Sequence, residues 1–184
     1  MKIVVGISGG SGAIYGVALL KVLNDLGVET HLVVSTMGEY VTEHECGVTL
    51  EELKSLATYY HDNKDLAAPI ASGSFKVDGM VVLPCSMKTI SAIASGYSDG
   101  LLTRACDVTI KEKRKLVVVP RETPLSVIHL ENMLKLAKMD VTVLPASPGF
   151  YNHPETIGDM VSSIVGRTLD QLGIEHNISK RWGE

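Results

Sequence analysis

The feature that most constrains the fold of this chain is the alternation of short apolar runs with amphipathic stretches along its length. The runs are four to six residues long and mostly Val, Ile and Leu, as is typical of strands buried on both faces of a parallel sheet. The predicted strands are Lys2–Ile7, Thr30–Val34, Met80–Leu83, Leu116–Val119 and Val141–Leu144. The sequence therefore predicts an α/β fold, a single doubly wound, Rossmann-like or flavodoxin-like domain over 1–184, with a mostly parallel sheet covered by helices on both faces.

Predicted helices fill most of the chain between these strands. The stretch after the first strand is amphipathic as far as Leu26. Further helices are predicted at Met37–Cys46, Leu50–Leu56, Ser86–Ala94, Leu101–Lys113, Ser126–Lys138 and Thr156–Leu172. Ala57–Phe75 is predicted to be irregular, because Pro69 and glycine or serine turns interrupt it. We find no internal repeat and no linker that would divide the chain into domains.

The composition argues against a nucleic-acid-binding or membrane protein. The net charge of −4 offers no general basic face, and no apolar run approaches the roughly 18 residues that indicate a membrane helix. We expect no signal peptide, because no long apolar core or cleavage site is visible before the first predicted strand, and Cys46, Cys85 and Cys106 form no CxxC pair. We therefore expect a cytoplasmic protein with reduced thiols. A mean hydropathy of +0.19 leaves aliphatic surface that subunit association would hide.

The first unusual segment, Gly-Ile-Ser-Gly-Gly-Ser-Gly, follows the first strand. It places Gly9, Gly10 and Ser11 before a helix, where missing Cβ atoms and free N–H groups favour an anionic ligand. The segment lacks the Lys-Ser/Thr of a P-loop and the GxGxxG spacing of a dinucleotide site. After the second strand stands Ser35 instead of an acid, which suits a phosphate or ribityl chain better than the ribose of NAD.

The segment Pro-Cys-Ser-Met-Lys-Thr follows the third strand and puts hydroxyl groups and an amine at another helix start. Taken alone, Ser86 is better explained as a helix N-cap than as a ligand of a small molecule. Cys85 has no histidine nearby in the sequence to activate it as a nucleophile.

Basic residues form a second candidate site. Arg104 and Lys111 are seven residues apart on one predicted helix and share a face. Arg121 follows a strand end, and Arg167 lies in an otherwise apolar helix, where its charge needs a partner. Each alone is best explained by a surface salt bridge, but together with Tyr151 they can surround a phosphate. Histidines lack metal-ligand spacing and no acidic cluster resembles a magnesium site, so we expect no metal.

Taken together, the motifs resemble the UbiX-type flavin prenyltransferase family, part of a superfamily of homo-oligomeric flavin-containing proteins. They are GISGGSGA, PCSMKT, DGLLTRACDVTIKEKRKLVVVPRE, IHLENMLKL, LPASPGFY and RWGE, in that order. The resemblance covers nearly the whole chain and is weakest between Ala57 and Phe75. Gly10 stands where many relatives have Ala, and Thr36 where some have Lys; neither departure removes a predicted functional group.

The resemblance implies an enzyme that attaches a dimethylallyl group from dimethylallyl monophosphate to N5 and C6 of reduced FMN, without a metal. FMN would be both the cofactor and the prenyl acceptor. The family also implies a homo-oligomer, a dodecamer, that hands prenylated FMN to a UbiD-type decarboxylase. The choice between monophosphate and diphosphate as prenyl donor stays open, because relatives differ in it.

The resemblance also implies roles for single residues. FMN contacts are expected from Gly9, Gly10, Ser11, Ser35, Ser86, Met87, Lys88, Thr89 and Arg104. The prenyl phosphate site is expected to contain Lys111, Arg121, Tyr151, Arg167 and Trp182, with Tyr151 and Arg167 often supplied by neighbouring subunits. The catalytic set is expected to be Ser11, Glu45, Glu122, Lys111 and Arg121. In it, Ser11 and the two acids handle protons, and the two basic residues stabilise the departing phosphate.

Other functions remain open at this point. An FMN-dependent cysteine decarboxylase of the related homo-oligomeric family uses an Asn in a PASANT-like segment and a base histidine. Here the segment is PCSMKT, with Lys88 at the Asn position. A non-enzymatic FMN-binding carrier would stack aromatic side chains on the flavin and would not need a second anion pocket. Direct decarboxylation of an aromatic acid explains the basic residues poorly.

Overall fold

The computed structural model describes residues 1–179 and 183, and within them one parallel sheet runs through the centre of the molecule. Its strands are β1 (Lys2–Ile7), β2 (Glu29–Val34), β3 (Tyr59–Asp62), β4 (Gly79–Cys85), β5 (Lys115–Pro120) and β6 (Thr142–Val143). They lie in the order β3-β2-β1-β4-β5-β6, and each neighbouring pair is parallel. The chain reverses its direction of winding between β1 and β4, which is where open α/β sheets bind ligands.

Helices connect the strands and cover the sheet. The described residues form α1 (Ala13–Asp25), α2 (Thr36–Cys46), α3 (Leu50–Ser55), α4 (Met87–Ser95), α5 (Leu101–Lys111), α6 (Val127–Ala137) and α7 (Ile157–Leu172), with a 3-10 turn at Pro69–Ala71. Capping boxes at Thr49, Ser126 and Thr156 satisfy N–H groups and fix where α3, α6 and α7 begin. In the part of the chain that the structure describes, no helix combines the length and apolar character needed to cross a membrane.

Alternate residues of β1 belong to two separate cores, one on each face of the sheet. Ile3 and Val5 pack in the core that contains Val165 and Leu169 of α7, together with residues of α1. Val4 packs in the other core, beneath α4, α5 and α6. Each of these side chains is at most 1% exposed, and burying one contributes roughly 1.5–3 kcal/mol. Because successive side chains of the strand point to opposite faces, they pack against helices on both faces of the sheet.

The predicted α/β fold, with a parallel sheet and helices on both faces, is confirmed. The prediction that Ala57–Phe75 is irregular is wrong, because Tyr59–Asp62 forms the edge strand β3 beside β2. An edge strand is paired on one side only and can carry polar side chains, so this segment lacks the continuous apolar run of the other strands. In β3, the ring of His61 stacks on the ring of His31 in β2, with 2.9 Å between Nδ1 of His31 and Nε2 of His61. The extent of the domain, 1–184, stays a prediction.

Candidate functional site

Hydrogen bonds join the segments that follow the carboxyl ends of the neighbouring strands β1, β2 and β4. The buried hydroxyl of Ser8 donates to the Pro84 carbonyl oxygen at 3.1 Å and accepts from the Ser86 backbone N–H at 2.8 Å. The Ser35 backbone N–H donates to the Ile7 carbonyl oxygen at 3.0 Å. The fold thus brings three predicted site segments together. Sequence reasoning missed Ser8, although a polar residue at the end of an apolar strand was a usable signal.

The glycine turn passes closely between the starts of α2 and α4. A Cβ built on Gly9 would overlap the Cβ of Met37, and one built on Gly10 would lie 3.5 Å from the Ser86 backbone. Gly12 has a φ of 102°, in the left-handed region that favours glycine. Backbone atoms rather than side chains therefore form this part of the edge, as close approach of a ligand requires.

A carboxylate of the chain itself binds the start of α1. Glu45 Oε2, on α2, accepts from the N–H groups of Gly12 at 2.8 Å and Ala13 at 2.9 Å, and the Ser11 hydroxyl donates to the same carboxylate. Burial would raise the pKa of Glu45, but these hydrogen bonds and the charge of Arg121 outweigh it and lower that pKa. The sequence predicted free N–H groups here for an external anion. At Gly12 and Ala13 these groups are instead bonded to Glu45.

Arg121 lies beside this carboxylate, directly after β5. Its Nε donates to the Ser11 carbonyl oxygen at 3.3 Å, a contact between residues 110 positions apart. The fold therefore brings Ser11, Glu45 and Arg121 into one cluster. Glu122 is exposed next to it, and its Oε1 accepts from the Thr123 backbone N–H at 3.0 Å.

Two serines cap the helices that start at this edge. Ser35 Oγ accepts from the Gly38 N–H at 3.0 Å at the start of α2, and Ser86 Oγ accepts from the Thr89 N–H at 3.3 Å at the start of α4. The N-cap role expected of Ser86 is thus confirmed, and Ser86 Oγ also lies 3.0 Å from Thr89 Oγ1. A hydroxyl that accepts one bond can still donate another, so both caps can bind an anion as well. Lys88 pairs with Asp99 at 2.8 Å, and Met87 is half-buried against the core under α4.

Arg104 and Lys111 share a face of α5, as predicted, but that face is turned to the segment before β4. Arg104 Nε donates to the Ala71 carbonyl oxygen at 3.2 Å, and Lys111 pairs with Glu112 beside Gly73. Lys111 precedes β5 and Arg121 follows it, so the length of that six-residue strand, roughly 20 Å, separates them. One chain therefore does not bring Lys111 to the cluster at Arg121.

Tyr151 and Arg167 come together in a third place, beside the edge strand β6. Both line a cavity of about 390 Å³ that also includes Thr142 and Gln171. A larger cavity of about 790 Å³ shares Tyr151 and extends to His176 in the tail after α7. The Arg167 side chain is 62% exposed, so its charge does not need the partner that the apolar helix led us to expect; it still lies near Asp170 on the same helix, with 3.3 Å between Arg167 Nη1 and Asp170 Oδ2. Trp182, predicted near the prenyl group, lies outside the described residues.

The described residues offer neither an activated thiol nor a metal cluster at this edge. Cys85 and Cys106 are fully buried, and burial raises the pKa of both thiols. No group of three or more His, Cys, Asp or Glu side chains within the described residues is arranged to hold a metal ion. The expected independence of metal stays a prediction.

A parallel sheet with a glycine turn and serine-capped helices at its switch point defines an α/β protein that binds a nucleotide or a flavin. Comparison with known proteins narrows this class. The family model named Flavoprotein matches residues 1–169. A probable UbiX-like flavin prenyltransferase from Bacillus subtilis (strain 168) is 56% identical over 182 residues, which cover 99% of this chain and 89% of that protein.

Two solved structures agree with this assignment. AnUbiX (PadA1), in complex with FMN and dimethylallyl pyrophosphate, is 44% identical with a TM-score of 0.97, over 100% of this chain and 97% of that chain. A dodecameric FMN-dependent UbiX-like decarboxylase from Escherichia coli O157:H7 is 52% identical with a TM-score of 0.98, over 100% of both chains. The present chain therefore belongs to the flavoprotein family, among the UbiX-like flavin prenyltransferases.

The comparisons do not favour the alternative of a cysteine decarboxylase. The peptidyl-cysteine decarboxylase EpiD is 19% identical with a TM-score of 0.66, over 93% of this chain and 97% of that chain. A likeness at that level shows a shared fold and nothing about a shared reaction.

Proposed function

We propose that this protein is a flavin prenyltransferase that attaches a dimethylallyl group from dimethylallyl monophosphate to N5 and C6 of reduced FMN. The observation that carries the proposal is the separation of two kinds of site in a chain of this family. Backbone atoms and serine hydroxyls, with Arg121 beside them, form the site at the carboxyl ends of the central strands, while Tyr151 and Arg167 line a separate cavity. The first suits a flavin, and the second suits the phosphate that leaves.

The flavin is held at the carboxyl edge around β1. Gly9 and Gly10 leave the turn without side chains, so its backbone can approach the ligand; at Gly9 a Cβ would also overlap Met37, whereas at Gly10 it would make only ordinary contact with Ser86. Glu45 takes N–H groups at the start of α1, so the phosphate of FMN is assigned to the helix starts capped by Ser35 and Ser86. Helix dipoles and hydroxyl donors favour an anion at both places. When bound, reduced FMN supplies the electron-rich N5 and C6 to which the prenyl carbons become attached.

Basic side chains stabilise the phosphate as it leaves. Arg121 and Arg167 present guanidinium groups, which match phosphate oxygens in pairs, and Tyr151 adds a hydroxyl donor. Positive charge already in place lowers the barrier more than charge that must move during the reaction. Lys111 belongs to this set only if a second copy of the chain supplies it, because it lies at the amino ends of the strands, whereas Arg121 lies at their carboxyl ends.

The cluster of Ser11, Glu45 and Arg121 handles a proton. The lowered pKa keeps Glu45 ionised near neutral pH, so it accepts the Ser11 hydroxyl hydrogen and fixes where that hydroxyl points. Ser11 is exposed at the rim of the turn, where it can hold or pass a proton to a bound ligand. Glu122, exposed one residue after Arg121, is the second acid assigned to proton transfer.

The wider assignments follow from the same function. We assign a homo-oligomer, handover of prenylated FMN to a UbiD-type decarboxylase, and a cytoplasmic location. Size measurement of the purified protein and fractionation of cells that express it test the first and the last.

Anaerobic incubation of the pure protein with reduced FMN and dimethylallyl monophosphate tests the reaction. The mass of the released flavin should rise by one five-carbon dimethylallyl unit, and inorganic phosphate should appear in equal amount. An unchanged flavin mass with both the monophosphate and the diphosphate donor would contradict the proposal. Omission of the donor is the control, since flavin reduction alone leaves the carbon skeleton as it was.

A further inference from the structure

The tail after α7 folds back along that helix and reaches the level of Arg167. Gly173, with a φ of 74°, reverses the chain at the end of α7. A Cβ built on Gly166 would lie 3.0 Å from the His176 ring and would overlap the Ser179 hydroxyl. The absence of a side chain at Gly166 therefore lets the tail pack directly against α7, one residue away from Arg167.

One carboxylate joins this tail to Arg167. Asp170 Oδ2 accepts from Arg167 Nη1 at 3.3 Å, and Asp170 Oδ1 lies 3.3 Å from Nε2 of His176. The His176 side chain is 1% exposed, whereas that of Arg167 is 62% exposed. The carboxylate thus connects a buried ring to a guanidinium that faces solvent.

The bond to Asp170 is the polar contact that orients the buried ring. Nδ1 of His176 is buried and has no hydrogen-bond partner within the described part of the chain. With a hydrogen on Nε2, His176 donates to Asp170. The ring is otherwise held by packing, including the close contact with Gly166.

An exposed arginine gains from such support when it binds a phosphate. Its side chain has many rotamers, and fixing them on binding costs affinity. A carboxylate three residues further along the helix, itself held by a buried ring, restricts those rotamers before the ligand arrives. Arg167 itself lines the 390 Å³ cavity together with Tyr151.

We infer that Asp170 and His176 are positioning residues for the prenyl donor: His176 holds the Asp170 carboxylate, and Asp170 orients Arg167 toward the phosphate. This role rests on the proposed function, since it requires that Arg167 binds that phosphate. Neither residue is assigned contact with the substrate. Their removal should therefore weaken the use of the prenyl donor and leave the flavin in place.

Steady-state kinetics of Asp170→Ala in the full-length holoprotein test the role of the carboxylate. The KM for dimethylallyl monophosphate should rise about tenfold, the loss expected for one hydrogen bond to a charged group. The kcat should change less than about threefold, because the residue aids binding more than the chemical step. Bound FMN, read from its absorbance, should stay at the wild-type level. Glu51→Ala is the matched control, since it removes the acid of another ion pair at the same helical spacing, 2.6 Å from Lys54, and should leave both constants unchanged.

Two variants of His176 separate the hydrogen bond from the packing. His176→Leu keeps a buried side chain without a donor and should raise the same KM about fivefold, as expected when one hydrogen bond is lost. His176→Gln keeps an N–H donor and should stay within about twofold of the wild type. Equal effects of Leu and Gln would mean that the ring acts by packing alone and would overturn the part assigned to His176.

A binding measurement without turnover keeps this role separate from the reaction. Titration calorimetry with dimethylallyl monophosphate should show about tenfold weaker binding for Asp170→Ala, and less than about twofold further loss when the change is made in Arg167→Ala. Equal losses in both backgrounds, or a tight-binding Asp170→Ala, would overturn the inference. Loss of FMN or of folding in both Asp170→Ala and the same-sized Asp170→Asn would also overturn it. A wild-type protein that binds the donor but makes no prenylated flavin would contradict the reaction and leave this role standing.

Discussion

The turn at the end of β1 and the surface around Arg167 are built in different ways. At the turn, bonds between residues far apart in sequence join the elements: Glu45 to Gly12, Ser86 to Ser8, and Arg121 to Ser11, over 33, 78 and 110 positions. Around Arg167 the two polar bonds described above are local, since Arg167 and His176 lie three and six positions along the chain from Asp170. Tyr151 there is 61% exposed.

The fold of one chain therefore fixes the shape of the glycine turn, whereas the surface around Arg167 is left open to contacts with other molecules. The turn is held on several sides by strands and helices of the same chain, so its shape is set before any ligand binds. Tyr151 and Arg167 face solvent in one chain, and Lys111 lies at the far edge of the sheet. We therefore expect flavin binding to depend on the fold of one chain, and use of the prenyl phosphate to depend on contacts between copies.

The largest effect is expected from Arg167→Ala. Loss of one charged donor to the leaving phosphate should lower kcat/KM by about 100-fold or more, as for removal of a donor from an oxyanion hole. FMN content should not change, because Arg167 lies apart from the glycine turn. Lys54→Ala is the control, since it also removes one cation from a helical ion pair and should keep full activity. Loss of FMN from Arg167→Ala would break the distinction between the two regions.

Alanine at the two adjacent glycines should affect stability differently. Gly9→Ala forces a methyl group into Met37, at an expected cost of about 1–3 kcal/mol in the free energy of unfolding. Gly10→Ala places its methyl group in ordinary contact, 3.5 Å from Ser86, and should stay within about 0.5 kcal/mol. Urea unfolding of the FMN-free proteins measures both values. Equal stability of the two variants would mean that the turn is looser than its packing against α2 indicates.

The smallest effect concerns Glu45 and pH. Its pKa in the folded protein lies below the ordinary value of 4.5, so its ionised form adds stability above that pH, and this is lost as pH falls through the folded-state pKa. Glu45→Gln should be the less stable protein at neutral pH, and its difference from wild type should shrink below pH 4.5. Thermal unfolding across this range checks the trend, with the exposed Glu43→Gln of the same helix as control. A stability difference between Glu45→Gln and wild type that grows as pH falls would contradict the lowered pKa.

Much of the fold was predictable because its signals are local. The Val-rich strands, Ser86 as an N-cap and the glycine turn each follow from neighbouring residues. The strand at Tyr59–Asp62 was not predictable from an apolar run, since it is a polar edge strand placed by pairing with β2. Glu45 at the start of α1 was not predictable from sequence distance either, because the packing of α2 beside α1 sets that contact.

The placement of the basic residues was only partly predictable. The seven-residue spacing correctly put Arg104 and Lys111 on one face of α5. The distance of Lys111 from the cluster at Arg121 was missed, although a signal existed, since Lys111 precedes a strand and Arg121 follows it. Residues on the two sides of one strand lie at opposite edges of a sheet. The sequence predicted that Arg167 needs a partner but did not identify that partner as Asp170.

Mixing two inactive variants tests most directly the claim that the prenyl phosphate site forms between copies. Lys111 is on α5 and Arg167 on α7, which lie on opposite faces of the sheet, so one phosphate can contact both only if different copies supply them. Lys111→Ala and Arg167→Ala chains, dissociated, mixed in equal amounts and reassembled, should regain activity in about one quarter of the sites by random assortment. Each variant treated alone should stay inactive. A mixture as inactive as its components would contradict the account.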